Sequence, residues 1–312
     1  MSFSSDVKEE LSRLIPKPVH CKSAELAAAM MFAGEIGIGT EEKKIIIRTE
    51  QVILAKKYFT LIKKIFGFNA VLNIRAQAGG QKSHQYSIIL KKDEEVRQVL
   101  ERVPVFSEDL LKEQILGRDC CRRAFIRGAF LAAGSMSNPG KSYHLEIVCR
   151  QPHQAQLLQE VIEGYDLPAK IARRKNRYIV YMKDSERIFD LLNLMEAYRA
   201  SMELENVRII KEMRNAANRQ YNCDAANINK LVKAASKQID DIRFLQEHMG
   251  LENLSPNLYE AAAARLEHPD VSLQELGNYL NPPVGKSGVN HRLRKIGAIA
   301  DELRAKTEEQ SQ

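Results

Sequence analysis

The sequence has no tryptophan, and aromatic residues make up only 6% of its 312 residues. No run approaches the roughly 20 apolar residues that a membrane-spanning helix needs, so we expect no membrane partner. The start of the chain lacks the basic and apolar regions of a signal peptide, and we therefore expect a cytoplasmic protein.

Cysteine is also scarce, and the five cysteines are an odd number, which argues against a disulfide framework. They form no Cys-x-x-Cys motif and no His-x3-His pair accompanies them, so the spacing predicts no metal site. Two Gly-Lys-Ser triplets, at 140–142 and 285–287, lack the glycine five residues earlier that a phosphate-binding loop needs. We therefore expect no cofactor, and no small-molecule substrate site is evident.

Hydrophobic residues make up 44% and charged residues 28% of the chain, proportions typical of a folded protein. The length suits two or three domains. The net charge of +7 favours a polyanionic partner, although the position of the charge matters more than its total.

The first two hundred residues contain an internal repeat. A shift of 100 residues aligns segment 21–36 with segment 121–136, and similar strand and helix patterns follow in both copies. Each copy is predicted to contain a helix, a strand or hairpin, a helix, a hairpin and a helix. The aligned positions include Cys21 with Cys121, Ala33 with Ala133, and Gly34 with Gly134, and the last hairpin strands begin at Tyr86 and Tyr178.

The first helix of each copy, predicted at Ala24–Gly34 and Ala124–Gly134, is rich in small residues. Small residues let two helices approach closely, and we expect each final glycine to end its helix in the left-handed conformation. Segment Phe125–Gly134 resembles the LAGLIDADG helix of homing endonucleases. The resemblance implies an α+β fold of two αββαββα halves, whose paired helices form the interface and whose sheets lie on DNA.

In homing endonucleases, the acid just before the terminal glycine of this helix holds a catalytic divalent metal. Ala33 and Ala133 occupy these positions here, and alanine offers no oxygen ligand to a hard cation. Glu35 follows the first of these glycines, but its counterpart Ser135 is not an acid. We therefore expect degenerate nuclease positions, no catalytic residues and no enzymatic activity.

Residues 170–183 contain six basic residues and no acid. The predicted hairpin turn carries Arg173, Arg174, Lys175 and Arg177, which we interpret as a secondary DNA-binding site that contacts phosphates. A solvated turn with surplus charge is the alternative interpretation. The equivalent turn of the first copy, at 77–82, carries one charge.

After Asp224 no strand pattern appears, and helices are predicted at about 224–248, 256–267, 272–280 and 287–304. Gly250 is a predicted C-cap, and Ser272–Glu275 is a predicted capping box. The last two helices, joined by Asn281–Gly285, fit an all-α helix-turn-helix domain.

In the last helix, Ser287 is the predicted cap, and Val289, Leu293 and Ile296 form one apolar stripe. Arginine can pair with guanine and asparagine with adenine in the major groove. A basic surface helix in another kind of bundle is the alternative. The predicted DNA-binding residues are Lys286, Ser287, Asn290, His291, Arg292, Arg294 and Lys295.

Segments from end to end of the chain resemble the WhiA family of regulators in Gram-positive bacteria. The segments are Met1–Ser4, Arg127–Ser135, Ser142–Ile147, Glu212–Asn215, Asn222–Asn227 and Lys286–Lys295. The resemblance implies control of sporulation or cell division, and a helix-turn-helix similar to the promoter-reading region of sigma factors. The predicted domains are a LAGLIDADG-like domain at 1–205 with halves at about 1–105 and 115–205, a helical linker at 206–223, and a DNA-binding domain at 224–312.

The leading hypothesis is a non-enzymatic, sequence-specific transcription regulator that binds double-stranded DNA and associates with the nucleoid. Its N-terminal domain would be a second DNA contact or a platform for RNA polymerase or a sigma factor. An active homing-type endonuclease is one alternative, which Ala33 and Ala133 disfavour. In the other alternative the N-terminal domain binds a protein partner, and the C-terminal domain only localises it on the nucleoid.

Overall fold

The computed structural model describes residues 2–38, 43–76 and 84–310. Contacts between residues divide the chain into two compact units, Met1–Glu212 and Met213–Gln312. No described helix combines the length with the hydropathy that a membrane span needs.

The first unit contains the predicted duplication. Helix α1 (Phe3–Arg13) precedes the first copy. The first copy consists of α2 (Val19–Ala33), β1 (Gly34–Ile38), β2 (Lys43–Thr49), α3 (Val52–Phe66), β3 (Val71–Ala76), β4 (His84–Leu90) and α4 (Asp93–Arg102). Helix α5 (Glu108–Gln114) joins it to the second copy, which consists of α6 (Asp119–Ala133), β5 (Gly134–Met136), β6 (Leu145–Cys149), α7 (Pro152–Glu163), β7 (Lys170–Arg174), β8 (Arg177–Met182) and α8 (Ser185–Leu194). The repeated αββαββα pattern confirms the predicted fold class.

Each copy forms an antiparallel sheet, and the described strands follow the same order, β1-β2-β4-β3 and β5-β6-β8-β7. Alternate side chains of a strand point to opposite faces. In the first sheet Ile47 pairs with Ile88, and in the second Ile147 pairs with Val180. These four side chains are buried in one core, so the residues between them form the outer face of each sheet.

Helices α2 and α6 pack closely, as their small residues predict. A Cβ atom at Gly128 would lie 2.6 Å from the carbonyl oxygen of Glu25, a distance that only glycine permits. Phe32 and Phe125 meet edge to face, with ring centroids 6.1 Å apart. The two copies therefore share their central helix pair.

The glycines that end these helices do not have the predicted left-handed backbone. Gly34 has φ −82° and Gly134 has φ −80°, which is extended backbone that any residue adopts. Glycine is needed there for space, because a Cβ atom at Gly34 would lie 2.2 Å from the carbonyl oxygen of Met30. Each helix therefore passes directly into a strand.

A charged group lies inside the first core. The Lys57 ammonium donates to the carbonyl oxygens of Leu11 and Leu14 at 2.7 and 2.6 Å, which satisfies the end of α1. Burial lowers the pKa of Lys57, and the Glu25 carboxylate opposes that shift. Arg127 pairs with the same carboxylate at 3.4 Å. The ionic cluster thus connects α1, α2, α3 and α6.

Helix α9 (Tyr198–His248) is a continuous helix of 51 residues. Leu204 is buried in the core of the first unit, and Ile242 and Leu245 are buried in the core of the second. No glycine or proline interrupts this segment. The helix predicted to start near 224 therefore begins earlier, and the predicted linker is part of it.

The second unit also contains α10 (Pro256–Glu267), α11 (Leu273–Leu276) and α12 (Lys286–Gln310), with short 3₁₀ turns at Leu251–Asn253 and Gly277–Tyr279. The predicted C-cap is present, because Gly250 follows the end of α9 with φ 78° and its amide donates to the Leu245 carbonyl at 3.1 Å. The predicted capping box is also present, and its backbone hydrogen bond from Ser272 holds the pKa of Glu275 below the usual value. The α-helix predicted over 272–280 is shorter, since it tightens into the 3₁₀ turn after Leu276.

Candidate nucleic-acid interface

The apolar stripe of α12 is confirmed. Val289, Leu293 and Ile296 are buried in the core of the second unit, with exposed fractions of 0%, 3% and 1%. They share that core with residues of α9, α10 and α11. One side of α12 is therefore fixed against the other helices, and the opposite side is open to a ligand.

Five of the seven residues predicted to bind DNA are exposed, and all seven lie in the first three turns of α12. Asn290 and Arg292 are half-buried at the edges of the stripe. No acidic residue occurs from 286 to 300. The exposed residues are Lys286, Ser287, His291, Arg294 and Lys295.

The start of α12 differs from the prediction. The helix begins at Lys286, and the Val289 amide donates to the Gly285 carbonyl at 3.1 Å. Ser287 therefore lies in the first turn and is not the cap. Its hydroxyl is consequently exposed on the same turn as the Lys286 ammonium.

Arg292 differs from the other predicted residues because protein atoms already surround it. Its guanidinium pairs with the Glu260 carboxylate at 3.1 Å and approaches the Asn257 carbonyl oxygen at 3.4 Å. Glu260 also accepts the backbone amide of Asn281, at the start of the turn. This carboxylate therefore connects α10 to the turn and to α12. Glu260 was not predicted from the sequence, since its partners are 21 and 32 residues away.

The turn before α12 depends on a close backbone approach. The Val284 amide donates to the Gly277 carbonyl at 2.9 Å. A Cβ atom at Gly277 would lie only 1.8 Å from the Val284 carbonyl oxygen. The position therefore requires glycine, and the contact fixes where α12 begins relative to α11.

The basic hairpin of the first unit is present, with a shorter turn than predicted. Strands β7 and β8 extend to Arg174 and from Arg177, so only Lys175 and Asn176 form the turn. All four predicted residues are exposed, including Arg173. Arg174 lies 3.9 Å from the Glu146 carboxylate on the outer face of its sheet. The equivalent turn of the first copy, at 77–82, lies outside the described residues.

The outer face of the first sheet carries polar residues that were not predicted as a site from the sequence. Arg48 and Asn73 both face Ser87, and Arg75 faces Gln85 on β4. The signal in the sequence was the alternation of polar with apolar residues along β2 and β3. These side chains line a shallow groove on the sheet.

Ala33 and Ala133 are the last residues of α2 and α6. Near them, the Glu35 carboxylate pairs with the Arg48 guanidinium, and the Ser135 hydroxyl donates to Glu146 at 3.3 Å. In the part of the chain that the structure describes, no group of three metal-ligating side chains lies at these helix ends. The two carboxylates near these helix ends are therefore each held by a protein partner.

Three family models match the chain. The model of the WhiA N-terminal LAGLIDADG-like domain matches residues 19–106, that of the WhiA LAGLIDADG-like domain matches 122–214, and that of the WhiA C-terminal HTH domain matches 217–300. Among solved structures, full-length DUF199/WhiA from Thermatoga maritima has a TM-score of 0.61 at 24% identity, over 97% of this chain and 99% of that chain. This likeness confirms the fold.

Curated relatives are similar over nearly the whole chain. The probable cell division protein WhiA of Lachnoclostridium phytofermentans is 47% identical, over 97% of this chain and 100% of the relative. That of Desulforamulus reducens is 43% identical, over 98% of this chain and 97% of the relative. The chain therefore belongs to the WhiA family of cell division proteins, with a LAGLIDADG-like domain and a C-terminal helix-turn-helix.

Proposed function

We propose that this protein is a non-enzymatic transcription regulator that binds double-stranded DNA in a sequence-specific manner. One observation carries the proposal. The first three turns of α12 have a buried apolar side and an exposed side that carries basic and hydrogen-bonding groups without any acid. A helix that is held in this way can enter the major groove and read base edges.

The proposed reading residues are Ser287, Asn290, His291 and Arg294. Lys286 and Lys295 lie at the margins of the same face and are suited to phosphate contacts. Arg292 was predicted to bind DNA directly, and we propose that it acts mainly by holding α12 on α10, since Glu260 already occupies its guanidinium.

Crosslinking the full chain to the chromosome of its own bacterium tests the proposal. We expect enrichment at a limited set of promoters that share a sequence motif. A triple alanine variant at His291, Arg294 and Lys295 should lose this enrichment. Lys306→Ala is the matched control, because Lys306 is exposed near the other end of α12. Equal enrichment of parent and triple variant would overturn the proposal.

The first unit is proposed to provide a second DNA contact through Arg173, Arg174, Lys175 and Arg177. The exposure of all four side chains on one hairpin supports this role. The outer sheet face that carries Arg48 and Arg75 is proposed to extend the same contact. RNA polymerase or a sigma factor is the proposed protein partner, and sporulation or cell division is the proposed process.

An active nuclease is disfavoured because alanine occupies both helix ends where the metal-binding acids of homing endonucleases lie. Incubation of the full chain with plasmid DNA and Mg²⁺ tests this point. We expect the plasmid to stay supercoiled. Nicking that is lost in Glu35→Gln would show that the chain cleaves DNA.

The platform alternative is tested with the same triple variant. If the variant does not bind promoters and yet restores normal division to a deletion strain, the main role is protein binding. We expect it to fail, because the proposal assigns the biological effect to DNA recognition.

A further inference from the structure

The first turns of α2 and α6 bring four metal-ligating side chains together. They are His20 and Cys21 from the first copy and Cys120 and Cys121 from the second. Their ligand atoms, one imidazole nitrogen and three sulfurs, all lie within 4.8 Å of one another. The shift of 100 residues that relates the copies also places position 20 on position 120 and position 21 on position 121. The four ligands are therefore two equivalent pairs that meet where the helices begin.

The distances fit a tetrahedral metal site. Zinc bonds of about 2.3 Å to sulfur and about 2.0 Å to nitrogen place neighbouring ligand atoms roughly 3.5–3.8 Å apart. The Nδ1 atom of His20 lies 3.1 Å from the Cys121 sulfur, 3.3 Å from the Cys21 sulfur and 3.9 Å from the Cys120 sulfur. Each of these three distances is within about 0.4 Å of the nitrogen–sulfur separation that a tetrahedral zinc site needs.

The surroundings favour the charge of such a site. A metal with three thiolates and one imidazole carries a net negative charge, and the amino ends of two helices carry partial positive charge. Both α2 and α6 begin at this cluster. Cys21 and Cys121 are buried, with exposed fractions of 5% and 2%, whereas Cys120 is exposed. The protein thus shields the two inner sulfurs from solvent, and a metal ion can reach the cluster from the side of Cys120.

We propose that His20, Cys21, Cys120 and Cys121 bind one Zn²⁺ ion in a closed structural site that clamps the two copies together. Three sulfurs and one nitrogen suit zinc, which takes four such ligands in structural sites. Spacing along the chain predicted no metal site, because each copy supplies only one adjacent pair and no Cys-x-x-Cys motif results. The helix pair brings the two half-sites together.

The site is far from the degenerate nuclease positions. Helices α2 and α6 have 15 residues each, which corresponds to roughly 22 Å between their ends. Ala33 and Ala133 lie at the opposite ends. The proposed zinc therefore has a structural role at the pseudo-twofold interface and does not depend on the proposed DNA binding.

The metal content of the untagged full-length chain, purified without chelator, tests the proposal. Mass spectrometry of the metal should find one zinc ion per chain. Cys21→Ser and Cys121→Ser should lose it, and Cys120→Ser should release zinc to a chelator at least about tenfold more readily. Two matched controls should keep it. Cys149→Ser removes another buried thiol from the first unit, and Cys223→Ser removes an exposed thiol from the second.

Cobalt substitution gives a readout of the ligands themselves. Co²⁺ in the full chain should show the strong visible bands of tetrahedral geometry and thiolate charge-transfer absorption. The charge-transfer intensity should fall by about one third in Cys120→Ser, a variant at an exposed position that we expect to fold. Removing the zinc should lower the melting temperature of the full chain by roughly 5–10 °C.

Three results would overturn the proposal. The parent could contain far less than one zinc per chain after growth with zinc, the cobalt spectrum could be the weak one of octahedral geometry, or mass spectrometry could find a disulfide between two of the three cysteines. A Cys120→Ser variant that folds and binds zinc as tightly as the parent would equally exclude a site in which Cys120 is a ligand.

Discussion

The Arg292 guanidinium lies 3.1 Å from the Glu260 carboxylate, within the proposed recognition helix and yet directed at its own protein. The side chains are 17% and 29% exposed, so solvent screens the pair only in part. Because Glu260 also accepts the amide of Asn281, the pair fixes the turn and the helix together. The structural contact of Arg292 is thus distinct from the proposed DNA contacts of the other basic residues of α12, and substitution can separate them.

Arg292→Ala should destabilise the second unit by about 1–2 kcal/mol, since it leaves a half-buried carboxylate without its partner. Arg294→Ala should change stability by less than about 0.5 kcal/mol, because Arg294 is exposed. Chemical denaturation of the full chain measures both values. Equal stabilities for the two variants would show that the contact with Glu260 does not stabilise the second unit.

Gly277→Ala should destabilise the second unit by more than about 2 kcal/mol, because its Cβ atom would overlap the Val284 carbonyl oxygen. Gly285→Ala is the matched control from the same turn, since no atom lies within 4 Å of its added Cβ. We expect the control to change stability by less than about 0.5 kcal/mol. Thermal unfolding of the two variants provides the comparison. A stable Gly277→Ala variant would contradict the described turn.

Glu25→Gln should destabilise the first unit by about 3–5 kcal/mol, because it leaves the buried Lys57 ammonium without its carboxylate partner and leaves Arg127 with Glu196 alone. Glu35→Gln removes an exposed partner of Arg48 and should cost less than about 1 kcal/mol. Denaturant titration measures both. If the two substitutions had the same small effect, the buried cluster would not hold its charges as described.

The repeat and the core stripe could be predicted from the sequence because both are periodic. The aligned glycines at 34 and 134 identified the paired helices, and the spacing of Val289, Leu293 and Ile296 identified the buried side of α12. Local patterns do not report long-range partners. Glu260 and the His20–Cys121 contact were therefore missed, since only the tertiary fold brings such residues together.

The ends of the helices were predicted correctly at some positions and wrongly at others. The capping box and Gly250 have recognisable local chemistry, and both are confirmed. The end of α2 was given the wrong backbone conformation, because the sequence cannot distinguish a glycine needed for its positive φ from one needed for space. The distinction depends on which atoms approach the position.

The basic hairpin leads to a salt-dependent prediction. A variant with alanine at all four hairpin positions, Arg173, Arg174, Lys175 and Arg177, should bind DNA with a weaker salt dependence. The negative slope of log affinity against log salt concentration should become less steep by about 0.9 for each phosphate contact that is lost. A variant with alanine at four other exposed residues of the first unit, Lys56, Lys63, Lys64 and Lys91, has the same net charge and is the control. Fluorescence anisotropy with a bound duplex gives both slopes. An unchanged slope in the hairpin variant would show that the hairpin does not contact the DNA phosphates.

The central claim is that the exposed side of α12 reads DNA sequence, and selection from a pool of random duplexes tests it most directly. The full-length parent should enrich one motif. Arg294→Ala should lose preference at a base within that motif and bind the parent's site about 1–3 kcal/mol more weakly, with unchanged stability. Enrichment of no motif by the parent, or of the same motif with equal affinity by Arg294→Ala, would contradict the account.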